Sequence, residues 1–364
     1  MTDRVSNFSP GPAVLPLPVL EQAQKDLVSL PGVGMSVMEL SHRGKPFEAI
    51  LSETRSLLTE LLGIPSGYTT LFLQGGASLQ FAMVPMNLLR DSGKPTDYIL
   101  TGTWGNKARE EAARQGKMNV AWDGKERNYA DLPSAADVQL SKDAAYVHFT
   151  SNETIQGVQF QTDPKFGDSP LVCDASSDFM SRPIDVAKHG LIYACAQKNA
   201  GIAGVTVVLI KDSLLENIAP GLPPILDYKQ HAKNDSMYNT PPTFAIYMLM
   251  LVCRWLKNDV GGLTKMQQRN RDKAKLLYDI IDGSGGFYRG HARPDCRSLM
   301  NVTFRLPSEE LEAKFAADAK PHKLVDLKGH RSVGGIRASI YNAMPVEGVQ
   351  ALAQYMRDFQ KQNG

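Results

Sequence analysis

Lys198 stands in Ala194-Cys195-Ala196-Gln197-Lys198-Asn199-Ala200-Gly201, framed by small residues and followed by the apolar run Val205–Ile210. Upstream, Asp174 closes the apolar stretch Pro170-Leu171-Val172-Cys173. An amine and a carboxylate placed this way are the two groups that pyridoxal phosphate needs at opposite ends of its ring. The amine forms a Schiff base. The carboxylate keeps the pyridine nitrogen protonated, so the ring can absorb the electron pair released when a bond to a substrate Cα breaks. Small, apolar surroundings disfavour an ammonium ion, which predicts a lysine that gives up its charge readily. The plainer alternative is a surface lysine beside a strand and an ordinary strand-end aspartate.

Further candidates follow other apolar runs. Leu71-Phe72-Leu73-Gln74-Gly75-Gly76-Ala77-Ser78 reads as a strand entering a glycine turn that opens a helix. Backbone N–H groups at such a turn can cradle a phosphate, with Gly76 and Ala77 at the helix start. The stretch matches neither a P-loop nor G-x-G-x-x-G, so nucleotide binding has no motif support. Trp104, between a strand and a helix, offers a face on which a ring cofactor could stack, or is an ordinary core aromatic. Thr154 lies just beyond the run Ala144–Phe149. Gly75, Gly76, Trp104, Thr154 and Asp174 thus all come after predicted strands, on the rim where open α/β sheets bind ligands. Two His-Arg pairs, His42-Arg43 and His330-Arg331, sit in turns that suit a phosphate dianion. Arg337 alternates with apolar residues on a predicted strand. It either faces a cleft and holds a carboxylate or is simply an exposed strand residue.

The elements that must position these groups alternate. Predicted strands at Thr70–Leu73, Asp97–Thr101, Ala144–Phe149, Pro170–Cys173, Ile192–Ala194 and Val205–Ile210 are interleaved with helices at Ser78–Leu89 and Gly105–Gln115, after helices at Val19–Ser29 and Lys45–Leu62. That pattern predicts an α/β fold with a mostly parallel sheet flanked by helices. Helices at Thr243–Asn258 and Thr264–Asp282 follow, the second with a basic face read as solvated. Beyond Gly283 the texture shifts to a smaller α+β lobe, with strands at Leu299–Leu306 and Gly335–Tyr341 and helices at Glu309–Ala319 and Val346–Gln360. The predicted division is a large cofactor-binding domain over 16–262, and a small domain formed by 1–15 with 263–364.

Bulk properties exclude several classes. The 364 residues carry a net charge of +2 with both signs interspersed, which gives no nucleic-acid or membrane-surface footprint. No apolar run spans a bilayer. Cys173, Cys195, Cys253 and Cys296 are scattered without C-x-x-C, and the histidines show no H-E-x-x-H, so no metal is expected. Met1–Asn7 lacks the basic start and apolar stretch of a secretory leader, which predicts a cytoplasmic protein.

The chain resembles the phosphoserine aminotransferase family, of the aspartate-aminotransferase fold type (fold type I) of pyridoxal-phosphate enzymes. The resemblance runs from Asn7-Phe8-Ser9-Pro10-Gly11-Pro12 to the last helix. Its motifs are Met38-Glu39-Leu40-Ser41-His42-Arg43, Leu73-Gln74-Gly75-Gly76-Ala77-Ser78, Ser181-Arg182-Pro183, Ala196-Gln197-Lys198-Asn199, Tyr238-Asn239-Thr240-Pro241-Pro242 and Gly329-His330-Arg331-Ser332-Val333-Gly334-Gly335. The resemblance implies amino transfer from L-glutamate to 3-phosphohydroxypyruvate in serine biosynthesis. A side activity in the 4-phosphohydroxy-L-threonine step of vitamin B6 synthesis is also implied. It implies that Lys198 carries pyridoxal 5'-phosphate, that Asp174 pairs with its ring nitrogen, and that Trp104 stacks on the ring. Gly76, Ala77, Gln197 and Thr154 would also touch the cofactor, with Asn239 and Thr240 contributed across a homodimer. His42, Arg43, His330 and Arg331 would hold the substrate phosphate, and Arg337 its α-carboxylate. Cys195 and Ala200-Gly201-Ile202-Ala203-Gly204 depart from the family's usual turn residues near the lysine. A cysteine desulfurase of the same fold type is the rival reading. It would need a reactive thiol, for which Cys296 is the candidate. A cofactor-free phosphate-binding protein is the other.

Overall fold

A computed structural model describes residues 4–364; Met1-Thr2-Asp3, part of the predicted small domain and of the Met1–Asn7 stretch, lie outside it. A seven-stranded sheet organises the larger part of the chain. Its strands are β1 (Tyr68–Leu73), β2 (Thr96–Leu100), β3 (Met118–Asp123), β4 (Val147–Thr150), β5 (Leu171–Asp174), β6 (Leu191–Cys195) and β7 (Thr206–Lys211). The spatial order is β1-β7-β6-β5-β4-β2-β3. Pairings among β3, β2, β4, β5 and β6 are parallel, while β7 runs antiparallel to both β6 and β1. Six strands therefore end on one edge of the sheet, and β7 begins there.

Period-two side-chain alternation fills both faces. On β7, Val207 and Leu209 join the core that includes Phe47, Leu58, Ile246 and Leu249. Val208 and Ile210 join the opposite core, with Phe81, Val84, Tyr98 and Tyr193. The first face is covered by α1 (Leu17–Val28), α2 (Lys45–Leu62) and α5 (Thr243–Trp255), the second by α3 (Gly76–Leu88) and α4 (Thr103–Ala112). Every residue from Ala245 to Cys253 is buried, which is why α5 reads as apolar all round. No helix of the described residues is long and apolar enough to cross a membrane.

A third core gathers α6 (Leu263–Gly283), α7 (Glu309–Asp318) and α8 (Val346–Asn363) over the antiparallel strands Arg289–Gly290, Asn301–Arg305 and Ile336–Ser339. Phe8 and Val14 join it, and Ser6–Asn7 pairs in parallel with Leu324–Val325. The basic face of α6 is not wholly solvated, contrary to expectation. Lys273 is buried, and its Nζ donates to the carbonyls of Ile340, Tyr341 and Met344 at 2.9, 2.7 and 3.2 Å. These carbonyls belong to the turn that follows the strand Ile336–Ser339, and the buried ammonium gathers them. Burial pushes that ammonium down to about 7.

Candidate active site

Parallel strands deliver their following loops to one edge, and five such loops meet there around a cavity of about 310 Å³. After β1, Gly75 and Gly76 take positive φ of 84° and 64° and open α3, whose N-terminus no side chain caps. A Cβ at Gly75 would lie 2.6 Å from Leu79, so the tight approach of turn to helix requires glycine. The N–H groups of Gly76, Ala77 and Ser78 begin this uncapped helix at the cavity wall, an arrangement suited to an anion. After β2, Trp104 sits within the first turn of α4 rather than in the loop before it, because the helix begins at Thr103, two residues earlier than the predicted start at Gly105. After β4 comes Thr154, at the end of β5 Asp174, and after β6 Gln197 and Lys198.

Lys198 Nζ donates to Thr154 Oγ1 at 2.8 Å and lies 5.5 Å from the centre of the Trp104 ring. The expected loss of its charge is not what the surroundings produce. Burial pulls the ammonium down, but Tyr341, Cys195, Asp174 and Glu153 are all acids close by, and together they hold it above the ordinary lysine value. These acids, of which only Cys195 belongs to the local sequence, reverse the effect of the small apolar frame. Asp174 is buried, and Oδ1 accepts from the Ser176 N–H at 3.0 Å. Burial raises its carboxyl, with Ser176 and Lys198 pulling the other way.

The smaller lobe closes the cavity with His330 and Arg337. Arg337 is 7% exposed, and its Nε has no hydrogen-bond partner among the described residues. Burial pulls its guanidinium down, against the Tyr341 phenol. His330 Nδ1 contacts Ser332 Oγ at 2.7 Å. Partial burial and the cations Arg337, Arg331 and Lys107 push its imidazole down.

Nine of the predicted residues therefore line one cavity: Gly76, Ala77, Trp104, Thr154, Asp174, Gln197, Lys198, His330 and Arg337. His42, Arg43, Arg331, Asn239 and Thr240 do not line it within the chain. His42 and Arg43 lie in the turn before α2, and Arg331 is exposed beside His330. The Thr240 carbonyl accepts from Gln74 Nε2 at 3.3 Å, which sets this segment next to the glycine turn. Pro10 and Gly11, read only as a stiff extended start, also reach the wall. A Cβ at Gly11, where φ is +135°, would meet Lys198 Cγ at 3.2 Å, so glycine lets the backbone run close to the lysine. The Pro10-Gly11-Pro12 run was the available signal. Thr150, Asn152, Ser176 and Ser177 line the cavity too and carried no signal. Cys296, the candidate thiol of the rival reading, is buried away from the cavity, and burial pushes it up to about 11.

The cavity fits a phosphorylated aromatic aldehyde. One wall carries free helix-start N–H groups, another an indole, and a carboxylate and an amine face the space between. Thr150 Oγ1, Trp104 Nε1 and Arg337 Nε are buried polar atoms on its lining without a protein partner, which leaves hydrogen-bonding capacity for a ligand.

Residues 5–352 match the class-V aminotransferase family. The chain is 57% identical to the phosphoserine aminotransferase of Rhodopirellula baltica, over 99% of this chain and 96% of that one. Its fold superposes on phosphoserine aminotransferase from Bacillus circulans subsp. alkalophilus with a TM-score of 0.97 at 51% identity, covering 100% of both chains. PLP-bound phosphoserine aminotransferase from Trichomonas vaginalis gives a TM-score of 0.89 at 42% identity, over 97% of this chain and 100% of that one. This depth of similarity along the full length has one meaning: the chain belongs to the class-V aminotransferases and, within them, to the phosphoserine aminotransferase family.

Proposed function

We infer that the protein transfers the amino group of L-glutamate to 3-phosphohydroxypyruvate, giving O-phospho-L-serine and 2-oxoglutarate, with pyridoxal phosphate as cofactor. The observation that carries this reading is the presence, on one cavity, of the Lys198 amine and the unpartnered Arg337 guanidinium. When bound, pyridoxal phosphate supplies an aldehyde carbon that accepts amines and a ring that takes up the electron pair left at Cα. Asp174 keeps a proton on the ring nitrogen. Lys198 Nζ would hold the cofactor at its aldehyde carbon and would serve as the base that moves a proton between the substrate Cα and that carbon, with Thr154 Oγ1 fixing where the nitrogen rests. Trp104 stacks on the ring. Gly76, Ala77 and Gln197 hold its phosphate, and the uncapped start of α3 supports that assignment.

Arg337 fixes the α-carboxylate common to both substrates, since a guanidinium fork matches a carboxylate with two parallel bonds. His330 with Arg331, and His42 with Arg43, hold the far end, which is a γ-carboxylate in one half-reaction and a phosphate in the other. Asn239 and Thr240 of the partner subunit complete the cofactor phosphate site in a homodimer. Their position off their own chain's cavity but beside Gln74 favours that arrangement. The division into a domain over 16–262 and one formed by 1–15 with 263–364 is supported by the separate core that Phe8 and Val14 share with α6, α7 and α8. Four free, buried cysteines suit a cytoplasmic setting. A coupled assay comparing 3-phosphohydroxypyruvate with hydroxypyruvate tests the function. Equal kcat/KM for the two would remove the case for a phosphate-selective site.

A further inference from the structure

Glu153 has no part in that reading, yet it is the most deeply buried acid at the site. It is 0% exposed, and no lysine or arginine forms an ion pair with it among the described residues. Its Oε2 accepts from the Trp104 N–H at 3.1 Å and its Oε1 from the Gly105 N–H at 2.9 Å. Both donors belong to the first turn of α4, where helical N–H groups have no partner of their own. Gln156 adds to the hold: its Oε1 accepts from the Thr103 N–H at 3.3 Å, and its Nε2 donates to Thr103 Oγ1 at 2.9 Å. A Cβ at Gly102 would lie 2.5 Å from Gln156 Oε1 and 2.6 Å from Glu153 Cδ, so the residue before the helix must be glycine for this clamp to close. α4 has no N-cap side chain of its own. Glu153 and Gln156 act as its cap from another strand.

The placement links two walls of the cavity. Glu153 ends the short strand Asn152–Glu153, and the next residue, Thr154, accepts from Lys198 Nζ at 2.8 Å. Two successive side chains therefore tie the Trp104 backbone and the Lys198 amine to one short segment, which sets the root of the indole relative to Lys198. The carboxylate also fills the α4 helix terminus, which leaves the uncapped start of α3 as the anion site. Asp174, Lys198 and Tyr129 are the titratable groups close enough to Glu153 to interact with it.

We propose that Glu153 is a positioning residue: its carboxylate clamps the first turn of α4 and so fixes where the Trp104 indole stands on the cavity wall that would receive the cofactor ring. The proposal rests on the cofactor assignment above. Replacing Glu153 by glutamine keeps the shape but turns an amide NH₂ toward one of two N–H donors. The clamp then loses one charge-assisted bond, and Trp104 is released from its fixed orientation.

The test is a titration of the cofactor-free protein with pyridoxal phosphate, followed by visible circular dichroism of the bound cofactor. Measured this way, Glu153→Gln should bind about tenfold more weakly and show a diminished cofactor dichroism band. In a Trp104→Ala background the same substitution should change affinity little, because the clamp has nothing left to position. Additive losses from the two substitutions, or an unchanged dichroism band in Glu153→Gln, would overturn the proposal. Should Glu153→Gln fail to fold, Gly102→Ala reads the same clamp, since its methyl must displace Gln156 and Glu153. Normal affinity and dichroism there would equally overturn it. If the unsubstituted protein binds no pyridoxal phosphate, the cofactor assignment fails and takes this proposal with it. If it binds and the variants match it, only the role of Glu153 is lost.

Discussion

Arg337 offers a perturbation whose effects on stability and on activity should have opposite signs. Its guanidinium is 7% exposed, Nε lacks a partner among the described residues, and burial pulls its charge down. A buried polar group left unsatisfied costs roughly 1–3 kcal/mol, and no group among the described residues accepts from Nε. Arg337→Met keeps most of the side-chain length and removes the charge. The cofactor-free variant should therefore be more stable than the parent by about 1–3 kcal/mol. With an unfolding entropy of about 2.1 cal/mol/K per residue over 364 residues, that is a rise of about 1–4 °C in unfolding midpoint. Activity should move the other way. A charged hydrogen-bond partner removed from the substrate carboxylate costs roughly 1.5–3 kcal/mol, a loss in kcat/KM of about ten- to 150-fold. Because glutamate and 3-phosphohydroxypyruvate share the α-carboxylate, both half-reactions should suffer alike. Thermal unfolding of the cofactor-free pair and single-turnover absorbance for each half-reaction give both numbers. A variant less stable than the parent, or a loss confined to one substrate, would refute the reasoning, for Arg337 would then be part of the frame.

The remaining predictions concern the other walls. Borohydride reduction followed by peptide mapping should place the cofactor label on Lys198; label on another lysine would sink that assignment. Lys198→Ala subunits mixed with subunits substituted at Asn239 and Thr240 should recover partial activity, because one site of each heterodimer then has every group intact. Absence of rescue after verified exchange would mean that each chain builds its own site. Arg43→Leu or Arg331→Leu should weaken 3-phosphohydroxypyruvate about ten- to 150-fold and glutamate less, measured by kcat/KM; equal losses would count against a phosphate role. Glu153 should also leave a mark on stability. Burial raises its carboxyl from 4.5 to about 7, so the folded protein binds the proton more tightly than the unfolded chain. The stability this confers is present below 4.5 and lost as pH rises through about 7. The difference is about 3 kcal/mol. Glu153→Gln should flatten the decline of the cofactor-free protein's unfolding free energy between pH 5 and pH 8 by that order.

Much of the sheet and most of its rim could be read from the residues because the relevant signals are local. Strand-then-glycine and strand-then-lysine patterns announce where an open sheet presents its loops, and parallel order brings those loops together without further instruction. What depends on distant partners was not legible. β3 went unassigned because Met118-Asn119-Val120-Ala121-Trp122-Asp123 lies at the sheet's edge and is half-exposed, so its alternation is weak. The reversal of β7 had a signal that the reading overlooked: the turn between Cys195 and Thr206 is too short to hold a crossover, so the next strand had to be antiparallel. The ionisation of Lys198 depends on Tyr341 and Glu153, far away in sequence. Glu153 itself, in Ser151-Asn152-Glu153-Thr154, looks like a solvated loop acid, and only the arrival of α4 makes it a buried cap. The small apolar neighbours of Lys198 pointed to a readily lost charge, and the acids gathered around the amine reverse that.

The site gathers groups that a folding chain would otherwise avoid: an unpartnered guanidinium, two raised carboxyls and a lysine held charged by its neighbours. Something has to offset their cost while keeping the two lobes in register. A network of side chains that starts on the cavity wall and runs into the smaller lobe does this. Asn152 Nδ2 donates to Ser177 Oγ and to Asn301 Oδ1 at 2.7 and 2.8 Å, and Asn301 Nδ2 donates to Ser339 Oγ and Tyr341 Oη at 3.0 and 3.2 Å. Tyr341 Oη then donates to the Pro10 carbonyl at 2.7 Å, and the Asn342 N–H donates to Asn199 Oδ1 at 2.9 Å, one residue from Lys198. This chain joins the loops after β4, β5 and β6 to the strand that carries Arg337 and to the segment that brings Gly11 against the lysine. Its members are buried and, apart from Asn152 Oδ1, which is left without a partner among the described residues, they bond to one another, and a polar network connected in this way rigidifies its surroundings. Lys273 fastens the same strand end from behind through the Ile340 and Tyr341 carbonyls. A site that must bind a cofactor and two anionic substrates keeps uncompensated charges on its surface. The fold holds them in place because the side chains packed against them are tied by this network to both lobes.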